Sequence, residues 1–224
     1  DEAVDQYEKA IALKPDYFDA LFNLGNVLNS MNKPYQAARA LAAALDLKPD
    51  FEEAALNFGL AIRRVRFQSS ERKFYPALSK LLTSGNLIRP ISIASSTMSL
   101  LKQDPLIAHF LTEQHVFPDV KSVLRAITAI AQLPLLGHLM RVSTLDLCFE
   151  RLFVRIRKEV ISNLYEIEET GGLSYFLSSL ALHCFINEYI YFESAEEVRL
   201  VDQLEKSISD MLDQKKQPQP LILL

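Results

Sequence analysis

His183 and Cys184 are adjacent, and Glu188 lies one helical turn beyond Cys184. A thiol beside an imidazole is the raw material of nucleophilic catalysis, provided the two side chains converge. Neighbouring positions on a helix point about 100° apart, so His183 and Cys184 do not converge. Cys184 and Glu188 share a face by their spacing, but that pair alone makes no nucleophile and base. The pair reads as a core histidine and a small buried thiol. His109 and His115 are six residues apart across an expected helix end, and His138 stands alone. That is no metal-ligand spacing. Glu166, Glu168 and Glu169 read as a solvated acidic face. Asn187-Glu188-Tyr189 places polar groups in an apolar helix, where they need partners. Two roles fit: tying this helix to its neighbours, or contacting a further domain.

The elements that would position such residues are all helical. No stretch alternates apolar and polar residues in the manner of a strand, and six glycines serve 224 residues. With 49% hydrophobic and 23% charged residues the chain has ample material for a core. The net charge of −4 gives no overall basic footprint, so nucleic acid is not the expected partner. No apolar run reaches the ~18 residues of a membrane span. Cys148 and Cys184 lack metal spacing and fit a reducing compartment, hence the cytoplasm.

One pattern dominates the first third. Ala10-Ile-Ala-Leu-Lys-Pro-Asp16 recurs as Ala44-Leu-Asp-Leu-Lys-Pro-Asp50, a period of 34 residues. Ala3 and Ala37 keep the same spacing, and Leu24-Gly25 recurs as Phe58-Gly59. Such a period marks stacked supersecondary units, none of which buries its own apolar face. Leu21, Leu24 and Leu28 form one apolar stripe. Gly25 and Ala37 lack bulk where two helices must approach. Pro49 stops a helix, and Asn32 tolerates a left-handed turn.

These residues resemble a tetratricopeptide (TPR) repeat. Leu21, Leu24, Gly25 and Leu28 match its first helix, while Ala37, Leu41, Ala44 and Pro49 match its second. Leu21 departs from the usual aromatic, and Asn32 from the usual Gly. The complete unit is expected over 18–49, preceded by a second helix in 1–15. A first helix follows in 52–65, and a divergent second helix in 71–83. Both chain ends are expected to be cuts through a longer protein, since the array starts mid-repeat and Leu221-Ile-Leu-Leu224 is apolar.

The resemblance implies that first helices line a concave groove. Asn23 and Asn57 fall at equivalent points there, with Asn26 a turn from Asn23. An amide offers both donor and acceptor and can pair with an extended peptide backbone. In the family, asparagines at these places bind peptide backbones; the alternative is that they only face water. Phe22 and Leu56 stand where lysines would grip a terminal carboxylate. The resemblance therefore implies a partly apolar protein or peptide partner touching Phe22, Asn26, Asn29, Leu56, Leu60 and Arg63. Arg63, Arg64 and Arg66 crowd the end of their helix. They complement its dipole or form a basic contact patch.

Beyond 83 the period is lost. Helices are expected over 87–101 (broken at Arg89-Pro90), after Pro105 and Pro118, over 120–133, and from Pro134. Another runs from an N-cap at Ser143, with Asp146 in its first turn, to about Tyr165. Gly171-Gly172 reads as a helix stop. An enclosed helix over 173–192 and a last helix capped by Ser194-Ala-Glu-Glu197 complete the chain. The stretches 133–136, 147–152 and 180–197 resemble a helical region found in bacterial proteins between TPR repeats and an S-adenosylmethionine-dependent methyltransferase domain. That resemblance implies a non-catalytic fragment, with no cofactor here and S-adenosylmethionine bound by a missing domain. The expected fold is all-α: a short TPR superhelix over 1–83 and an irregular helical bundle over 84–224. The expected role is a protein-interaction scaffold, with a methyltransferase fragment or a self-assembling homo-oligomer as alternatives.

Overall fold

The computed structural model describes residues 2–111, 120–142, 146–163, 167, 171–186, 194–214 and 216. All regular elements among them are helical, as the patterning predicts. The chain divides into two compact units, 1–105 and 106–224.

The first unit contains α1 (Glu2–Leu13), α2 (Phe18–Ser30), α3 (Pro34–Leu47), α4 (Glu52–Ile62), α5 (Tyr75–Thr83) and α6 (Ile91–Leu101). Successive helices pack in pairs, and α2 also packs on α4 and α3 on α5. First helices thus stack on first helices and second on second, which defines a solenoid. The repeated Leu-Lys-Pro-Asp builds the same turn twice. Tyr17 N donates to Lys14 O at 3.1 Å, and Phe51 N to Lys48 O at 3.2 Å. Tyr17 and Phe51 then enter α2 and α4 with the same extended backbone.

Asn32 takes the left-handed conformation, φ 59°, and closes α2. Lys33 N reaches back to Leu28 O at 2.9 Å, so the orphan carbonyl is satisfied as in a Gly-terminated helix. Pro34 starts α3, where its missing N–H costs nothing. Leu21, Leu24 and Leu28 are buried, as are Ala37, Leu41 and Ala44. A Cβ on Gly25 would fall 2.8 Å from Leu41 Cδ2 and nearer still to its Cγ, so this glycine sets the α2–α3 approach.

The sequence pattern extends some helices too far. α4 ends at Ile62 rather than Val65, where Arg64 N and Val65 N turn back to Ala61 O and Ile62 O. The divergent partner begins with a single 3₁₀ turn, Arg72–Phe74, before α5. That turn plants Phe74 against Phe58 and Phe67, with ring centroids 6.2 and 5.2 Å apart. Phe58 and Phe74 are wholly buried, worth about 1.5–3 kcal/mol each. α6 starts only at Ile91, directly after Pro90, so no broken helix spans 87–101. Asp104, after α6, is fully buried. It accepts from Arg72 at 2.8 and 3.0 Å and from the Tyr75 hydroxyl at 2.7 Å.

The second unit contains α7 (Pro105–Leu111), α8 (Val120–Ala131), α9 (Pro134–Met140), α10 (Leu147–Ser162), α11 (Gly171–Ile186) and α12 (Ala195–Asp213). α11 packs on α8 and α9, and α10 on α12. The cap of α10 is Asp146, which accepts from Cys148 N and Phe149 N. Asp146 therefore takes the capping role expected of Ser143, and α10 stops at Ser162, short of Tyr165. Gly171-Gly172 open α11 instead of stopping a helix. α8 ends at Ala131, two residues before Leu133. α11 is less enclosed than its composition implies: Leu173, Phe176, Leu177 and Leu180 are buried, but Phe185 is 63% exposed. Ser194 and Glu197 form the predicted capping box on α12.

Candidate functional site

α2 and α4 lie side by side because the 34-residue repeat sets them in register, and polar residues face one another across the seam. Asn29 Nδ2 donates to the backbone carbonyl of Asn57 at 3.1 Å. Asn57 Nδ2 donates to Asn26 Oδ1 at 2.8 Å. Asn26 Nδ2, Asn29 Oδ1 and Asn57 Oδ1 make no hydrogen bond among the described residues. These three groups supply two N–H donors and two acceptor oxygens to whatever enters. They open on a pocket of about 340 Å³ lined by Asn26, Asn29, Asn57, Leu60, Arg63 and Arg64.

Five of the eight groove residues expected from the sequence thus meet in one pocket. Phe22 does not join them. Its ring stacks on Phe18 (centroids 6.0 Å) and meets Phe51 edge-on (5.3 Å). It belongs to the cluster that seats α2 against the next turn. Asn23 is half-buried and Leu56 is 41% exposed, but neither lines the pocket. Arg64 does, and its guanidinium donates to Asn32 Oδ1 at the left-handed turn. The signal for Arg64 is present in the Arg63-Arg64-Arg66 cluster, where a helix-dipole reading masks it. Arg66 turns away, donating to Ser96 Oγ at 3.2 Å and Val65 O at 3.0 Å.

Residues 1–32 match the TPR repeat family model. The matched stretch spans α1 and α2, so its frame is offset by one helix from the 18–49 unit. In a solenoid any two successive helices make one period, so the two frames describe one array. TPR repeats generally mediate protein–protein interactions and are generally non-catalytic. No curated protein and no solved structure matches the chain.

The chemistry-bearing residues of the second unit are placed otherwise. His183 is fully buried, its Nδ1–H donating to Met140 O at 2.8 Å, with the Phe153 ring edge-on at 4.8 Å. Burial pushes its pKa down against the opposing effect of that hydrogen bond. The neutral ring is tied into the core, and Cys184 beside it is buried. His138 sits against Tyr175 at 5.7 Å, and its buried Nδ1 has no partner among the described residues. Burial, and then Arg141, lower its pKa. Glu197 accepts from Ser194 N at 2.8 Å and pairs with Arg157 at 3.2 Å. Burial pushes its pKa up, but the Ser194 donors and the Arg157 charge hold it below the usual range. No group of three metal-ligating side chains gathers among the described residues. No helix among them is long and apolar enough to cross a membrane. Asn187, Glu188, Tyr189, His115, Glu166, Glu168, Glu169 and 221–224 lie outside the described residues.

Proposed function

We propose that the chain is a non-catalytic interaction module that holds an extended peptide segment of a partner protein against α2 and α4. One observation carries this reading: the α2–α4 seam leaves Asn26 Nδ2, Asn29 Oδ1 and Asn57 Oδ1 unspent beside an open pocket. Their mutual bonds fix their positions, so little side-chain entropy is lost on binding. A backbone N–H and carbonyl of the partner satisfy them, and exposed Leu56 and Leu60 on α4 take an apolar side chain. The test is a peptide-library selection on the chain and on an Asn26→Ala plus Asn57→Ala variant. Selected peptides should bind the variant about five- to a hundredfold more weakly, at unchanged helicity, since each of the two lost hydrogen bonds costs about 0.5–1.5 kcal/mol. Peptides indifferent to both substitutions sink the proposal.

The resemblance of 180–197 to a region preceding methyltransferase domains supports a second reading, in which the module presents a substrate or partner to such a domain. A coding sequence with no strand and Gly-rich turn after Leu224 rules that out. Self-assembly predicts a mass that rises with concentration.

A further inference from the structure

Charge is segregated along the first unit. Residues 1–53 hold ten Asp or Glu and five Lys or Arg. Residues 54–103 hold eight Lys or Arg and a single carboxylate, Glu71. Three of those eight are compensated: Arg72 by Asp104, Lys73 by Glu71 and Lys80 by Asp50. Arg63, Arg64, Arg66 and Arg89 have no carboxylate at ion-pair distance among the described residues. Two of them are steadied by neutral partners that leave their charge intact: Arg64 by Asn32 Oδ1, and Arg66 by Ser96 Oγ and Val65 O. Arg63 and Arg64 reach the pocket, and Leu56 and Leu60 precede them on exposed parts of α4.

We infer that the partner segment is acidic, with carboxylate side chains meeting Arg63 and Arg64 and apolar side chains meeting Leu56 and Leu60. The inference rests on the peptide-binding reading above. It needs no terminal carboxylate, because the arginines lie at the end of α4, past the amides. A nucleic acid fits less well. Single-stranded recognition relies on exposed rings for base stacking. In 54–103, Phe58, Phe67 and Phe74 are buried and Tyr75 is half-buried with its hydroxyl on Asp104.

The test uses the full chain and three labelled probes in fluorescence anisotropy. One is a short Glu-Leu-Ser repeat peptide, acetylated and amidated so that it has no terminal charge. The second replaces every Glu by Gln, and the third is a short single-stranded DNA. The Glu peptide should bind about tenfold or more tighter than the Gln peptide, and the gap should shrink as salt is raised. Arg63→Ala plus Arg64→Ala should remove that gap, so that the variant binds the Glu and Gln peptides equally. Both arginines are exposed, so a melting curve identical to that of the parent is expected. Equal binding of Glu and Gln peptides overturns the acidic inference and leaves the groove standing. Binding of neither overturns both. Tighter binding of the DNA replaces the acidic peptide by a nucleic acid.

Discussion

Gly25 and Gly59 occupy equivalent points of the repeat, yet alanine at each should behave differently. At Gly25 a new Cβ lands 2.8 Å from Leu41 Cδ2 and closer to Cγ. Leu41 is fully buried, with Ala37, Ala38 and Ala44 beside it also at 0% exposure. The clash involves the branch carbon, which χ2 rotation does not move, and the fully buried surroundings leave no room for another χ1; α2 and α3 must separate. Overpacking of that kind costs about 1–3 kcal/mol. Alanine returns about 1 kcal/mol of helix propensity. The net loss at Gly25 is about 0–2 kcal/mol, towards the upper end because the contact is with a buried branch carbon. At Gly59 the nearest atoms are Ile88 Cδ1 at 2.8 Å and Leu81 Cδ1 at 3.3 Å, the ends of flexible side chains, one of them half-buried. Those methyls can swing aside, and the propensity gain cancels the cost to within about 0.5 kcal/mol. Urea unfolding of the full chain, read at an unchanged m-value, measures both. Equal effects of the two substitutions, or a stabilised Gly25→Ala, would refute this account of the helix approach.

Further predictions concern the buried polar links. Asp104→Ala strands the Tyr75 hydroxyl and should cost about 2 kcal/mol, less than a fully buried pair because Arg72 is 56% exposed; the unfolding midpoint checks it. Glu197→Gln removes the charge from the α12 cap and its Arg157 partner and should cost about 1–2 kcal/mol, read as faster amide exchange at the start of α12. Because the Glu197 pKa is depressed on folding, its contribution is present above pH 4.5 and lost as pH falls below that value. His183 and His138 are also depressed on folding, so the unfolded state takes up their protons first. Stability is complete above pH 6.5 and falls below it until each histidine protonates in the fold, with the larger share from fully buried His183. A urea unfolding midpoint that stays constant as pH is lowered below 6.5 would contradict the neutral, buried placement of these rings.

The first unit was largely legible because its constraints are local. Pro15 and Pro49, the Asn32 turn and the Leu21-Leu24-Leu28 stripe each act within one or two helical turns. The second unit followed only where a signal was equally local, as at Ser194 and Glu197. Its errors came from signals with two meanings. Asp146 and Ser143 both suit an N-cap, and adjacent glycines at 171 and 172 suit either end of a helix. The candidate site was half legible. Equivalent positions placed Asn23 and Asn57 on facing helices with Asn26 a turn from Asn23, but not the bonds that bring Asn26 and Asn29, rather than Asn23, to the pocket. The resemblance puts Phe22 at a groove position, but its ring closes on Phe18 and Phe51. The Arg72–Tyr75–Asp104 link spans about 30 residues and has no sequence signature.

The central claim is that α2 and α4 form the working face. Hydrogen exchange of the chain with and without a library-selected peptide tests it directly. The account predicts slower exchange confined to 22–30 and 56–64 on peptide addition. Protection of α10 and α12 instead, with those two stretches unchanged, would contradict it.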